Sequence, residues 1–344
     1  MISFRILGAW TLASVTTLAT QAQSLELSWP TPSRAYWEGK PFTAFIQPTA
    51  SGVPESGLYG CVRNGGSRFH EGIDIRPEKR DRRGEPTDPI YAILPGIVRH
   101  VSRQPGHSSY GRYVVIEHVD QQPAVYSMYA HLASIPADVR VGARVERGQE
   151  IAIMGRSASG YAIPRERAHL HLEIGLRLTD DFQSWYNWKE FGSRNEHGVW
   201  NGMNLLGVDP LDVYDQFRTG RVTNFQQYFR GLSVAVKLRV AARTIPDFVR
   251  RYPALLTKPL LSEAEIGGWE IGFDATGIPI AWTPLSVMET LSLRGSEVRV
   301  EEADEAALKS NRCRSLVFKK RGRYEIGSDL ETVLQLLFQL RRPL

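Results

Sequence analysis

Hydrophobic and polar positions alternate in short segments over the middle of the chain. Between residue 61 and about residue 175, runs rich in β-branched residues recur between Gly, Pro and polar clusters, at residues 89–94, 96–98, 113–118, 124–131 and 149–154. Apolar runs of this length, bounded by turn residues, are typical of β-strands. This part of the chain is therefore predicted to be a mainly β, antiparallel domain.

The last third of the chain has a mixed pattern. A helical pattern past residue 211, with Val213, Phe217 and Leu232, gives way to strand-like segments at residues 268–273, 297–300 and 315–318. An amphipathic helix is predicted from about Asp329, where apolar residues recur at helical spacing and should face the core: Leu330, Val333, Leu334, Leu337 and Leu340. The pattern predicts an α+β C-terminal domain, and no chemical motif occurs in it.

The N-terminus has the pattern of an export signal. Arg5 precedes an apolar run at residues 6–19, and small residues before Gln23 predict cleavage after Ala22. The run is shorter than the roughly 20 residues that cross a bilayer, so we expect no membrane span. A buried N-terminal helix is the alternative. The predicted organisation is a signal peptide (1–22), an extended segment (23–57), a β domain (58–215) and the C-terminal domain (222–344).

Charge and cysteine content narrow the function classes. The chain has 42 Lys and Arg against 37 Asp and Glu, and part of this mild excess is concentrated at residues 76–83. A basic segment of this kind is ordinarily a solvated loop. The alternative is that it attracts an anionic polymer. The export signal and the lack of a recognisable binding module disfavour nucleic acid. The two cysteines, Cys61 and Cys313, are compatible with one disulfide in an oxidising compartment, and their pairing stays open.

The first candidate for chemistry lies at residues 69–75, where polar His70, Gly72 and Asp74 alternate with apolar residues. On one extended strand, side chains at i and i+4 share a face, so His70 and Asp74 should project together. We expect Gly72 between them to leave room for an ion.

The second candidate lies at residues 168–174, which also alternate strictly. His169, His171 and Glu173 should share one face of a strand whose other face is apolar. Neighbouring imidazoles are costly to bury unless something coordinates them. Zinc is the natural candidate, because it suits imidazole nitrogen and carboxylate oxygen, and a catalytic zinc keeps three protein ligands and an open position.

The third candidate is the segment 126–132, in which Tyr129 and His131 should share a face at the end of a strand. His118 is interpreted as a strand-end histidine satisfied by hydrogen bonds. Three further histidines are placed in connecting segments without a ligand partner: His100, His107 and His197.

From about residue 60 to residue 174 the chain resembles the lysostaphin-type, or LytM-like, zinc endopeptidases that cleave peptidoglycan peptides. An ordered series of motifs carries the resemblance: His70-x-x-x-Asp74, Gly96-Ile-Val, Tyr110-Gly111 with residues 114–118, Tyr129-Ala-His131-Leu132, Val141-Gly142 with Val145 and Gly148-Gln149, and His169-Leu-His171-Leu-Glu173. Two segments depart from the family pattern, the insertion at 78–88 and the loop at 156–167. Both should wall the substrate groove.

The resemblance implies a LytM-like fold with one zinc ion bound by His70, Asp74 and His171. It also implies that His131 and His169 act in catalysis, and Glu173 is placed to orient a neighbouring histidine. The expected function is that of a secreted zinc endopeptidase, located in the periplasm or extracellular envelope, that acts on cross-links or stem peptides of peptidoglycan.

Two other functions stay open, a non-enzymatic wall-binding or hydrolase-regulating relative, and a zinc peptidase acting on proteins. The C-terminal domain is expected to bind wall polymer, occlude the groove or brace the peptidase. The bond cleaved and the oligomeric state are open.

Overall fold

The computed structural model describes residues 25–293 and 298–342. The predicted signal peptide, residues 1–22, and residue 297 of one predicted strand lie outside these residues. The strands before residue 210 are β1 (Gly60–Arg63), β2 (Arg68–His70), β3 (Ile73–Ile75), β4 (Pro89–Tyr91), β5 (Gly96–Ser102), β6 (Tyr113–Glu117), β7 (Tyr126–Ala130), β8 (Arg144–Val145), β9 (Glu150–Ile153), β10 (Leu170–Arg177) and β11 (Leu205–Val208).

A seven-stranded antiparallel sheet forms the centre of the predicted β domain. The order of six of its strands is β11-β10-β7-β6-β5-β8. The seventh strand, β3, pairs with residues 170–172 of β10, and β11 pairs with residues 174–177. Two small ladders, β1 with β2 and β4 with β9, complete this part. The prediction of a mainly β, antiparallel domain is confirmed.

Both faces of the central sheet are covered. Every residue of β6 and β7 is buried. Val114, Ile116 and Tyr129 belong to the main core, whereas Val115 and Met128 belong to a second cluster on the opposite face. Strands buried on both sides are expected to be apolar throughout, which explains the nearly continuous apolar character of these two segments.

The remaining elements form the α+β part. Its strands are β12 (Val236–Val240), β13 (Ile266–Phe273), β14 (Pro279–Ser286), β15 (Val298–Ala303), β16 (Val317–Lys320) and β17 (Arg323–Ile326). The helices of the chain are α1 (Phe182–Lys189), α2 (Pro210–Arg218), α3 (Phe225–Gly231), α4 (Asp247–Arg251), α5 (Glu305–Ser310) and α6 (Ser328–Phe338). A four-stranded sheet of order β14-β13-β12-β15 lies beside the hairpin β16–β17.

The predicted elements of this part are recovered with shifts at their ends. Helix α6 begins one residue before Asp329, and Leu340 lies beyond its end. The helical pattern past residue 211 divides into α2 and α3, with Leu232 just after α3. Helix α1, which begins the segment between β10 and β11, was not predicted.

The two predicted domains share one hydrophobic core. A single cluster of buried residues runs from Leu27 to Leu337, and Trp185 of α1 donates from its indole nitrogen to Gln335 of α6 at 3.2 Å. Cys61 of β1 forms a disulfide with Cys313, which settles the pairing left open above. The domain boundaries stay predictions. Among the described residues, no helix combines the length and apolarity that crossing a membrane requires.

Candidate metal centre

His70, Asp74 and His171 meet where two short strands, β2 and β3, lie beside the long strand β10. His70 ends β2, Asp74 is the middle residue of β3, and Asp74 lies directly opposite His171 in the antiparallel pairing of β3 with β10. The prediction of one continuous strand over residues 69–75 is wrong, because the chain bends at residues 71–72 and β2 and β3 pair with different partners. His70 and Asp74 converge nevertheless.

Gly72 serves a different purpose from the one expected. A Cβ atom at this position would lie 2.1 Å from the carbonyl oxygen of Leu172 in β10. The missing side chain therefore admits the backbone of β10, and the expectation that it leaves room for an ion is wrong. It acts indirectly, because the close approach of β10 is what brings His171 to Asp74.

Each of the three side chains brings one potential ligand atom close to those of the other two. His70 Nδ1 donates to the Leu58 carbonyl at 2.6 Å, so the lone pair of His70 is on Nε2. That Nε2 lies 3.0 Å from His171 Nδ1 and 3.2 Å from Asp74 Oδ1, and His171 Nδ1 lies 3.1 Å from the same oxygen. Ligand atoms around a tetrahedral zinc ion are separated by roughly 3.3 Å, given metal–ligand distances of about 2.0–2.1 Å.

Burial and protonation point to a bound cation. All three residues are buried, and among the described residues they are the group found with metal-binding spacing. Burial opposes ionisation of Asp74, but the imidazoles of His169 and His70 outweigh it and hold the pKa of Asp74 well below its usual range. Burial also opposes charge on His171, yet hydrogen bonds to Asp74 and Glu173 raise its pKa to about 9. A metal ion at Nδ1 would displace that proton, so the donor set fits zinc.

His131 and His169 lie beside this centre. Their ring centroids are 4.7 Å apart, and His169 Nε2 is 3.5 Å from Asp74 Oδ1. His131 Nδ1 donates to the Ser157 carbonyl at 2.8 Å, and His169 Nδ1 donates to the Arg167 carbonyl at 2.7 Å. Since a carbonyl only accepts, these bonds leave both Nε2 atoms as bases.

The two rings are also kept neutral. Burial, followed by the neighbouring imidazoles, lowers the pKa of His131 well below its usual value, and burial lowers the pKa of His169. The catalytic roles of His131 and His169 stay predictions.

A left-handed residue brings His131 to the centre. His131 has φ 62°, immediately after β7, which breaks the alternation of side chains along the strand. Tyr129, inside the strand, lies in the main core, where its hydroxyl accepts from the amide of Ile93 at 2.9 Å. The expectation that Tyr129 and His131 share a face is therefore wrong. No periodic signal in the sequence indicates this turn.

Glu173 orients His171 from the side opposite Asp74. Its Oε1 accepts from His171 Nε2 at 2.9 Å and from the Tyr110 hydroxyl at 2.7 Å, while Oε2 accepts from the Tyr126 hydroxyl at 3.0 Å. An imidazole that donates to a carboxylate is held in one tautomer and becomes a stronger ligand. Tyr110 and Tyr126 were not anticipated as part of this arrangement.

Arg63 is a further residue that sequence reasoning missed. Its Nη2 lies 2.6 Å from Asp74 Oδ2 and 2.7 Å from His70 Nε2. It projects from β1, which pairs with β2 so that Arg63 lies opposite Arg68. A basic residue seven positions before His70 carries no recognisable metal-site signal, so only the fold reveals the contact.

The two insertions form one wall. Glu85 of the first insertion accepts from Arg156 Nε at 2.7 Å and from Arg165 Nε at 2.9 Å, and these arginines lower the pKa of Glu85 to about 2. The cavity beside them, about 530 Å³, is lined by residues of both insertions, and one of these, Ser157, accepts a hydrogen bond from His131 through its carbonyl. This arrangement agrees with the expectation that the insertions shape a groove.

The remaining histidines differ in their surroundings. His118 is buried and satisfied by the Pro95 carbonyl and the Ser127 hydroxyl, as expected. His100 lies in β5 rather than in a connecting segment, and its ring centroid is 5.6 Å from that of His197.

Comparison with known proteins gives a family for the segment that carries this site. Residues 68–181, about a third of the chain, match the model of Peptidase family M23. No curated protein matches the chain.

Similar solved structures include the catalytic domain of a prophage-encoded M23 protein, EnpA, from Enterococcus faecalis, at 26% identity over 38% of this chain and 79% of that chain, with a TM-score of 0.27. The catalytic domain of lysostaphin from Staphylococcus simulans is 20% identical over 46% of this chain and 87% of that chain, with a TM-score of 0.28.

A zinc-containing peptidase from Vibrio cholerae is 26% identical over 44% of this chain, with a TM-score of 0.29, and the matched part spans 37% of that protein. The metal-site spacing and the family model concern the same segment, since His70, Asp74 and His171 all lie inside residues 68–181. Residues 68–181 of this chain therefore match peptidase family M23, and the resemblance read from its motifs is confirmed.

Proposed function

We propose that this protein is an exported zinc endopeptidase that hydrolyses peptide bonds of bacterial peptidoglycan. The observation that carries the proposal is the convergence of His70 Nε2, His171 Nδ1 and Asp74 Oδ1 within 3.2 Å of one another, next to two neutral imidazoles. Lysostaphin, a similar structure, is described as an antimicrobial peptidase. The Cys61–Cys313 disulfide supports export, because disulfides persist in oxidising compartments.

The side chains around the centre divide the work of peptide hydrolysis. A zinc ion held by His70, Asp74 and His171 would polarise the scissile carbonyl and lower the pKa of water at its open position. His131 and His169 have ring centroids 4.7 Å apart and keep Nε2 as a base, so one of them can accept the proton of the attacking water and deliver it to the leaving amine. Glu173 and Asp74 fix His171 from both sides.

Substitutions of His171, in β10, and of His169, the residue just before β10, separate metal binding from catalysis. We expect His171→Ala to lose both zinc and cleavage, and His169→Ala to keep zinc but lose cleavage by about 100-fold or more, the range for a general base. Zinc is measured by mass spectrometry of the purified protein, and cleavage by release of new amino groups from purified sacculi. His107→Ala, an exposed histidine outside the centre, is the control and should retain both.

The same assay decides between the alternatives. Cleavage of casein at a rate equal to that of sacculi would favour a peptidase acting on proteins. Zinc binding without cleavage of either substrate would favour a non-enzymatic wall-binding protein. Equal loss of zinc in the His169 and His171 variants would overturn the assigned roles.

A further inference from the structure

A cleft between the peptidase domain and the C-terminal part has no role in the mechanism above. Its volume is about 260 Å³. The peptidase side contributes the two neighbours of His70 and a tyrosine, and the C-terminal side contributes a cation, an anion and a threonine: Phe69, Glu71, Tyr110, Arg314, Asp329 and Thr276.

Arg314 lines this cleft, and its guanidinium forms a long ion pair with Asp329. Its Nε donates to the Thr276 carbonyl at 3.1 Å, and its guanidinium carbon lies 4.8 Å from the centre of the Phe69 ring. The nearest carboxylate oxygen, Asp329 Oδ1, is 3.8 Å from Nη1, which is too long for a hydrogen bond. Within residues 25–293 and 298–342, neither Nη atom of Arg314 has a hydrogen-bond acceptor, although the side chain is only 18% exposed.

A guanidinium held in this way is well placed to bind a carboxylate. The guanidinium is fixed on one edge by Thr276 and on one face by Phe69, so little side-chain entropy is lost when its two terminal nitrogens bind a ligand. Paired N–H donors match the two oxygens of a carboxylate, and such charge-assisted pairs are the strong ones.

Acidic groups share the same cleft. Asp329 Oδ2 accepts from the amide of Ser315 at 2.6 Å, which orients the carboxylate and leaves Oδ1 facing Arg314. Glu71 lines the opposite side, and its carboxylate has no hydrogen bond or ion pair within the part of the chain that the structure describes. The cleft thus contains one cationic side chain, Arg314, and two carboxylates, Glu71 and Asp329. These charges are complementary to a ligand that carries both a carboxylate and an ammonium.

Tyr110 connects the cleft to the metal centre. Its ring lines the cleft and lies 5.6 Å from the ring of His171, and its hydroxyl donates to Glu173. Phe69 and Glu71 flank His70 in the chain. The cleft therefore adjoins the metal centre.

We propose that this cleft binds the zwitterionic end of a branched wall peptide, a carbon that carries a free carboxylate and a free ammonium. Arg314 binds the carboxylate, and Glu71 with Asp329 binds the ammonium. The inference rests on the proposed function, because it names a substrate feature for the same site. In this proposal the C-terminal part contributes Arg314 and Asp329 to the pocket that determines substrate specificity.

Two stem peptides that differ by one carboxylate test the proposal. One carries meso-diaminopimelate at its third position and the other carries lysine, which keeps the ammonium and lacks the carboxylate. Calorimetry with the full-length zinc-loaded protein should give at least about tenfold tighter binding of the first peptide. Arg314→Gln should abolish this preference, and Arg314→Lys should restore only part of it.

Arg312→Gln is the matched control, because Arg312 is an exposed arginine two residues away that does not line the cleft. It should keep the wild-type preference. Glu71→Gln is a second variant, from the other side of the cleft, and should weaken binding of both peptides while the preference between them stays. If Arg314→Gln does not fold, the Glu71 result decides: unchanged affinity for both peptides would overturn the proposal.

The inference and the proposed function fail in different ways. A wild-type protein that binds both peptides equally, or an Arg314→Gln variant that keeps the preference, overturns the cleft assignment even if sacculi are cleaved. Loss of the preference in that variant without any cleavage of sacculi by the wild type supports the cleft and overturns the hydrolase.

Discussion

Asp74 uses its two carboxylate oxygens for different neighbours. Oδ1 faces the imidazoles of His70, His169 and His171, and Oδ2 accepts from Arg63. The ligand atom is therefore selected by the bond that the other oxygen makes, as is usual when a ligating carboxylate has an outer partner. Arg63 also offsets part of the negative charge that Asp74 and Glu173 bury.

Replacing Arg63 should affect the protein most strongly when zinc is removed. In Arg63→Ala, Asp74 is left as a buried carboxylate whose Oδ2 has lost its cationic partner. We expect a loss of about 1–3 kcal/mol in the free energy of unfolding after EDTA treatment, below the cost for a fully buried pair because Arg63 is 24% exposed. With saturating zinc the loss should shrink, since the ion stabilises the same carboxylate. Urea unfolding of both forms measures it.

Arg68→Ala is the control for that measurement. Arg68 is exposed and lies opposite Arg63 in the β1–β2 pairing. Its replacement by alanine removes the same charge as Arg63→Ala. Its unfolding free energy should change by less than about 0.5 kcal/mol in either condition. An equal effect of zinc on the stability of both variants would contradict the assigned role of Arg63.

The sequence predicts some residues of the centre and not others, for a physical reason. His70, Asp74 and His171 lie in short motifs with local spacing. Arg63 acts through the pairing of β1 with β2, and Tyr110 through a contact with Glu173, which is 63 positions later. Such contacts depend on the tertiary fold, and no local pattern encodes them.

At the scale of elements, the centre depends on the close approach of β3 and β10. The pairing places Asp74 opposite His171, and Gly72 is the residue that admits the β10 backbone. The alternating pattern predicted both strands, because one face of each is apolar. It did not predict the bend at residues 71–72, since two short strands and one long strand give the same alternation.

Gly72→Ala should separate these strands. A methyl group 2.1 Å from the Leu172 carbonyl forces the backbone apart, and we expect a loss of about 3 kcal/mol or more in the free energy of unfolding together with a lower zinc content. Urea unfolding and metal analysis measure the two effects.

Gly106→Ala serves as the control for the Gly72 variant, because a Cβ there meets no atom within 4 Å and its backbone is not left-handed. It should leave both quantities nearly unchanged. Normal zinc content in Gly72→Ala would show that the approach of β10 does not set the ligand geometry.

At the scale of the whole molecule, the predicted division into domains conceals how closely they are joined. The core cluster is continuous across both, and the Cys61–Cys313 disulfide spans 252 positions. Amphipathic spacing predicted α6, but the sequence contains no signal that pairs α6 with α1 across 150 positions. Non-local packing of this kind is where the sequence is least informative.

Removing the disulfide should destabilise the entire protein. Closing so long a loop restricts the unfolded chain, and the stabilisation from such a bond is roughly 2–5 kcal/mol. We expect a Cys61→Ser, Cys313→Ser variant to unfold at lower urea in a single transition, and reduced wild-type protein to match it. An unchanged unfolding midpoint would show that the shared core alone sets the stability.

The position of the disulfide also has a consequence for the order of maturation. Residue 61 leaves the ribosome first, and its partner at residue 313 follows 252 positions later. The hairpin that carries Arg63 to the ligands therefore receives its covalent tether only after these 252 further positions have been made. A chain interrupted before that point contains every metal ligand and lacks the final anchor of the strand beside them.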